Sequence, residues 1–240
     1  MSRSDAILIA SGVTRSFGSN HALRGVSFDL APGEFLGIIG PNGCGKSTLV
    51  NCLTGVLHPS DGRVQYAGTD ITGWSLSRRA KAGLVRTFQN LGLFANMTVL
   101  ENVMARKGVE GGAPLEVLDE LGLTSVMHET VHNLSYGHQR RTELARALVV
   151  RPRVLILDEP AAGLDTSERA RLAETLRGLC ETGTAIALID HDMALISSVC
   201  HRVLVLEAGE VIFDGPPASA LSDPRVIEVY LGKPLVQDAS

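Results

Sequence analysis

Two hydrophobic rhythms divide the chain. In the first third, the apolar runs ILIASGV, ALRGVSFDL, EFLGIIG and RVQYAG are cut by Gly, Pro and the Asp61-Gly62 pair, which predicts strands joined by turns. One helix interrupts them, from Lys46 to about Thr54, directly after a glycine-rich turn. From roughly Gln89 to Val150 the spacing turns helical, in TVLENVMARK, PLEVLDELG and SYGHQRRTELARALVV, with a strand in LVRTFQ leading in. Beyond it VLILD, AIALID and RVLVLE are solidly apolar and alternate with the helical periods SERARLAETLRGLCE and MALISSVC. Such strands, alternating with helices, predict a parallel sheet covered on both faces. Pro216 to Ser240 reads as a tail with a short helix or two and a polar end. The expectation is one α/β domain over residues 1–240, with a helical insertion at roughly 90–150 and the tail at 216–240.

Composition narrows the partners. The net charge of −4 and a pI near 6.0 argue against nucleic acid, whose binders usually carry a basic face. The local basic clusters, Arg78, Arg79 and Lys81, then Arg140 and Arg141, read as solvated surface. Cys44, Cys52, Cys180 and Cys200 have neither CxxC nor metal-ligand spacing, which predicts buried, reduced thiols in a cytosolic protein. The opening MSRSDAILIASG is too short in apolar residues for a signal peptide, and no run approaches the roughly 18 residues needed to span a bilayer.

The chemistry begins at GPNGCGKST, which fits G-x-x-x-x-G-K-[ST] between an apolar strand and a helix. Gly40, Pro41, Asn42, Gly43, Cys44, Gly45, Lys46, Ser47 and Thr48 are the expected phosphate cradle. Glycines let backbone N–H groups close around a phosphate, Lys46 meets the terminal phosphates and Ser47 holds Mg²⁺. Cys44 fills a variable position. VLILDEP supplies the partner: Asp158 to orient Mg²⁺, and Glu159, one residue further into the cleft, as general base toward water. Together they predict nucleoside triphosphate hydrolysis. A second anion site is suggested by Ser135 and Gly137, which open a strongly helical run where free N–H groups and the helix dipole favour a phosphate.

That second site, LSYGHQRR, resembles the signature of ATP-binding cassette (ABC) ATPases, usually written LSGGQ. Further motifs follow the same family: Gln89 in RTFQN matches its Q-loop, AAGLD ending at Asp165 its D-loop, and His191 in LIDHDM its switch histidine. Phe17 in TRSFG falls where its adenine-stacking aromatic lies. The resemblance implies a P-loop NTPase fold with an N-terminal antiparallel β subdomain, a parallel-sheet core and a helical subdomain. It implies that two cassettes sandwich two ATP molecules head to tail, Ser135, Tyr136, Gly137, His138 and Asp165 of one chain completing the phosphate site of the other. Glu159, His191 and Gln89 are then the catalytic set, and Ser47, Gln89 and Asp158 face Mg²⁺.

The finer likeness is to ATPases of branched-chain amino-acid importers, through RTFQNLGLFANMTVLENVM, the signature with Tyr136, DEPAAGLD, IDHDMALI and the terminal VIEVYLG. Three departures stand out. His138 replaces the subgroup's usual Gln, Asp165 its usual Asn, and the stretch between Val103 and the signature is short. The resemblance implies transmembrane permease subunits, a second identical or homologous ATPase, an indirect link to a periplasmic or extracellular solute-binding protein, and a peripheral place on the cytoplasmic side of the membrane. The segment from about Leu91 to Met104 is the expected docking groove for the permease. Other solutes such as urea or amides, and lipopolysaccharide export, use similar engines. A soluble ABC ATPase acting on DNA or ribosomes would bring a second cassette, a coiled-coil insertion or a basic surface. A small-molecule kinase would need neither signature nor D-loop.

Overall fold

The apolar strands bury alternate residues in two different cores. The computed structural model describes residues 5–87, 92–105 and 113–231. Strands β1 (Leu8–Phe17), β2 (Asn20–Leu30), β4 (Asp61–Tyr66) and β5 (Thr69–Asp70) form an antiparallel sheet in the order β2-β1-β4-β5. Strands β3 (Phe35–Ile39), β6 (Leu84–Arg86), β7 (Val154–Asp158), β8 (Ala185–Ile189), β9 (Arg202–Glu207) and β10 (Glu210–Gly215) form the second sheet, ordered β10-β9-β3-β8-β7-β6. Its pairs are parallel except the β9–β10 hairpin.

Period two explains the runs. Leu36, Ile38, Val154, Ile156, Ala187 and Leu204 face the core shared with the antiparallel sheet. Phe35, Ile39, Leu155, Leu157, Ile186 and Val203 face the other core, shared with the helices. With neither face wet, no polar position is tolerated, so alternation is hidden in the sequence.

Helix α1 (Lys46–Thr54) begins at the glycine-rich turn, as the sequence predicts. A second helix, α2 (Leu76–Lys81), is an addition to the single helix expected in this third. It corrects the reading of its arginines. Arg78 stacks its guanidinium 3.9 Å over the Trp74 ring. Arg79 is fully buried and donates to five backbone carbonyls, those of Cys52, Leu53, Ile71, Thr72 and Trp74. Cys52 and Leu53 close the last turn of α1, so a buried cation meets the carbonyl end of the phosphate-loop helix. Burial pushes the Arg79 guanidinium down to about 10, which leaves it charged at neutral pH.

The middle of the chain carries α3 (Val99–Met104), α4 (Ala113–Glu120) and α5 (Tyr136–Leu148). A reciprocal capping box between Thr98 and Glu101 starts α3. Then follow α6 (Thr166–Glu181), α7 (Met193–Val199), α8 (Pro217–Ala220) and α9 (Pro224–Leu231). Arg140, like Arg79, is buried: it donates to the Tyr136 hydroxyl at 3.0 Å and pairs with Glu143 at 3.0 Å. A sequence does not separate a buried arginine from a surface one when its acceptors are distant carbonyls, as for Arg79, or partners on neighbouring helical turns, as for Arg140. All four cysteines are free and buried. Among the described residues no helix is long and apolar enough to cross a membrane.

Candidate active site

Parallel strands deliver their C-terminal ends to one edge of a sheet, and register fixes which ends are neighbours. Ile38 and Asp158 both pair with Ile189, so the loops after β3, β7 and β8 emerge side by side. They carry Gly40, Glu159 and His191. The sequence-predicted phosphate loop and carboxylate pair are thereby brought together.

The loop is shaped for a phosphate. Gly40 has φ 148°, and a side chain there would press within 2.7 Å of the Cys44 sulfur and against the Leu206 carbonyl. Gly45 has φ 111°, where a side chain would lie 2.5 Å from the Ala22 carbonyl. Gly45 is also the N-cap of α1 and offers no side-chain cap, and the first turn holds no acid, so its N–H groups stay available to an anion. Lys46 Nζ donates to the Gly40 and Pro41 carbonyls at 2.7 and 3.0 Å. Asn42, Gly43 and Ser47 are exposed, Pro41 and Thr48 are half-buried, and Cys44 is buried as a filler. These features fit a triphosphate. The Mg²⁺ donors expected beside it, the Ser47 hydroxyl and the Asp158 carboxylate, are hard oxygens, and so few protein ligands suit an ion that keeps water and substrate phosphates.

Asp158 is buried at the end of β7, where Arg86 of β6 bridges it at 2.9 Å and also donates to Asn51 of α1 at 2.5 Å. Arg86 therefore ties three elements of the site. Glu159 has φ 49°, a left-handed backbone costing a non-glycine residue on the order of 1 kcal/mol, and its N–H donates to the Ile189 carbonyl at 2.7 Å. That bond carries the β7–β8 ladder to its last rung, and the left-handed backbone turns the chain there. His191 is exposed on the next loop. Under it, buried Asp190 accepts from the His191 and Asp192 N–H groups at 2.8 and 2.9 Å, and burial raises its carboxyl above the usual carboxylate range. Gln89 lies outside the described residues. Phe17 ends β1, 47% exposed, with the Arg15 guanidinium 4.7 Å over its ring.

The signature is built separately. Ser135 is the N-cap of α5, and Gly137 packs so closely on Glu168 of α6 that a side chain there would overlap its carboxylate. Glu168 is held by a capping box with Asp165, the N-cap of α6. The Glu168 N–H, then the Ser167 hydroxyl, hold Asp165 below the usual carboxylate range. Tyr136 lies against Gly163, φ 76°, where a side chain would come within 2.8 Å of the ring. A cavity of about 470 Å³ lies beside this contact between α5 and α6, lined by Gly137, Arg140, Leu144, Leu157, Glu168 and Leu172 among others. Among the described residues, no hydrogen bond joins Ser135–His138 to the phosphate loop.

Three positioning residues had no sequence signal. Arg169 donates to the Leu164 carbonyl at 3.0 Å and to Asp192 at 2.8 Å, tying the 161–165 loop to the turn after His191. Asn102 is buried and fastens the loop before α3 by bonds to Phe94, Met97 and Thr98. Tyr230 of α9 comes near the backbone of Gly40: burial raises its phenol above the ordinary value, and the Gly40 backbone pulls the other way. The tail residue Tyr230 is thus brought near the phosphate loop.

A model of the ABC transporter family matches residues 23–162. The chain belongs to the ABC transporter ATP-binding family. A second family model, described as branched-chain amino acid ATP-binding cassette transporter, matches residues 210–235 of this cassette. The cassette is 36% identical over 252 aligned positions to the high-affinity branched-chain amino acid transport ATP-binding protein BraF of Pseudomonas aeruginosa, covering 95% of this chain and 98% of that one. It is 34% identical to the lipopolysaccharide export system ATP-binding protein LptB of Acidithiobacillus ferridurans, covering 94% and 97%. The first alignment is longer than the 240-residue chain, so that relative carries residues this cassette lacks. Among solved structures, a nucleotide-free ATP-binding cassette from an ABC transporter superposes with TM-score 0.87 at 30% identity, covering 95% of this chain and all of that one. A bacterial ABC transporter cassette solved as a dimer gives 0.79 at 26%, covering 88% and 98%. The cassette is an ATP-hydrolysing subunit of a membrane transporter.

Proposed function

We propose that this cassette couples ATP hydrolysis to import of branched-chain or other hydrophobic amino acids, docked on permease subunits at the cytoplasmic face of the membrane. The match over residues 210–235 carries the solute class, because that stretch lies outside the general ABC match at 23–162. The export relatives share the engine, and this tail match favours the amino-acid reading over theirs.

Two cassettes face each other, each phosphate loop completed by the partner's signature. In this scheme Lys46 and the α1 N–H groups bind the phosphates, Ser47, Asp158 and Gln89 would hold Mg²⁺, and Phe17 stacks on adenine. Mg²⁺ would supply charge neutralisation across the phosphates. Glu159 takes a proton from the water that attacks the γ-phosphorus as its bond to the ADP oxygen breaks, and His191 steadies the γ-phosphate. Exposed Phe94 and Met97, on the loop fastened by Asn102, with Met104 on α3, are the apolar contacts offered to the permease. Gln89, just before them in the chain, passes the closing motion across. Uptake of labelled leucine by a strain deleted for this cassette tests the solute: the expected result is loss of uptake restored by the intact gene, and unchanged uptake would sink the amino-acid reading.

A further inference from the structure

The signature serine of this cassette is engaged by its own neighbour. Ser135 Oγ accepts the His138 N–H at 3.3 Å and shares a second hydrogen bond, of 2.8 Å, with Nδ1 of the same ring. One hydrogen occupies that second bond. When the neutral ring carries its hydrogen on Nε2, the hydroxyl donates to Nδ1 and its only hydrogen is used. When Nδ1 is protonated, the ring donates to Oγ and the hydroxyl hydrogen is released to point outward.

The surroundings set the balance. Arg141 faces the imidazole from its own helix, Glu168 faces it from α6, and Arg171 of α6 and Asp165 complete the charged corner. Burial first, then Arg141, hold the imidazole below its ordinary value against the pull of Glu168. Both causes favour the neutral ring in the free chain.

We propose that His138 is a positioning residue for the γ-phosphate of the second cassette's nucleotide, and that closing the sandwich takes up a proton at each His138. The proposal rests on the sandwich reading above and deepens it. A phosphate oxygen only accepts, so it needs the Ser135 hydrogen that the Nε2–H ring is using; a neutral Nδ1–H ring releases that hydrogen too, but brings no charge to the phosphate. An imidazolium frees it, giving the chain Nδ1–H to Oγ and O–H to phosphate oxygen, and adds a positive charge beside a polyanion. The proton comes from solvent, and the one bond made is N–H. Glutamine, the usual residue here in the family, carries a permanent N–H donor and does the same work without titrating.

The direction follows from linkage. A phosphate against Ser135 raises the imidazole pKa above its free value. A group whose pKa is higher in the complex stabilises that complex at low pH, and the gain fades as pH rises through the complex value. Association therefore tightens as pH falls.

The test uses the full chain carrying Glu159→Gln, with Mg²⁺ and ATP, its dimer dissociation constant read by analytical ultracentrifugation from about pH 8 to about pH 6. The expected result is a fall of roughly 3- to 30-fold across that range, flattened when His138→Gln is added. Calorimetry of the same association in two buffers of different ionisation enthalpy needs no change at position 138 and should report net proton uptake. A dissociation constant independent of pH, or the same slope in both proteins, would overturn the proposal. Absence of any ATP-dependent dimer at every pH would overturn the sandwich reading and the proposal with it.

Discussion

The edge of the parallel sheet and the start of α5 both offer helix N-termini to phosphate, yet they are built in opposite ways. At the sheet edge, three adjacent strands bring the Gly40 turn, Asp158–Glu159 and His191 together, and Arg86 ties Asp158 to α1. At the signature, Ser135 is held by its own helix, while Gly137 and Tyr136 rest on Glu168 and Gly163. The first region is assembled by the fold of one chain. The second has its supports inside the chain, and in the sandwich proposed above its phosphate-binding groups would serve a second cassette. A site divided in the proposed way would bind nucleotide with one half and report on a partner with the other.

Substitutions in the two regions should therefore fail differently. The largest effect is expected from Glu159→Gln, which removes the base and keeps the cradle. Steady-state hydrolysis should fall by roughly 10²- to 10⁴-fold while ATP still drives association. Wild-type turnover in that protein would break the assignment of the sheet edge.

Arg79→Met should lower unfolding free energy by about 3 kcal/mol, because five carbonyls lose their donor and the end of α1 loses its cation. Urea titration reads this directly, and an unchanged midpoint would mean the phosphate-loop helix does not depend on that clamp.

Ser135→Arg places bulk and charge at the signature. Hydrolysis should drop by at least about tenfold, with nucleotide affinity of the monomer within roughly threefold of wild type. Lost monomer binding would erase the contrast by putting Ser135 in the chain's own pocket. The smallest effect is expected from Tyr230→Ala, a weakening of monomer ATP affinity by about two- to fivefold, read by fluorescent-nucleotide titration. A change at the dimer step alone would move Tyr230 from the first region to the second.

Legibility in the sequence divided along chemical lines. The phosphate loop, Asp158–Glu159 and the strand–helix alternation were readable because each is local: a backbone shape, a strand end, an apolar period. Helix α1 was placed at Lys46–Thr54 for the same reason. Arg79 and Arg140 were misread as solvated surface, because the acceptors that bury them lie on other turns or other elements. Strand β10 buries none of its residues completely and helix α2 spans only six residues, so neither has a strong apolar period and both take their order from neighbours. The terminal VIEVYLG gave a family likeness with no hint that Tyr230 comes near Gly40, since only the folded path of α8 and α9 brings the tail back. Tyr136 and His138 were readable as departures from LSGGQ, but the bond from His138 to the serine depends on the helical turn that aligns them.

Arg169 has a mechanical consequence. By holding the Leu164 carbonyl and Asp192 at once, it makes two loops into one lever whose fulcrum is the first turn of α6. A push on either arm arrives at the other without passing through the sheet. In the sandwich proposed above, that single side chain would link the 161–165 loop to the turn after His191, and a mixed pair would differ according to which of its two members carries it.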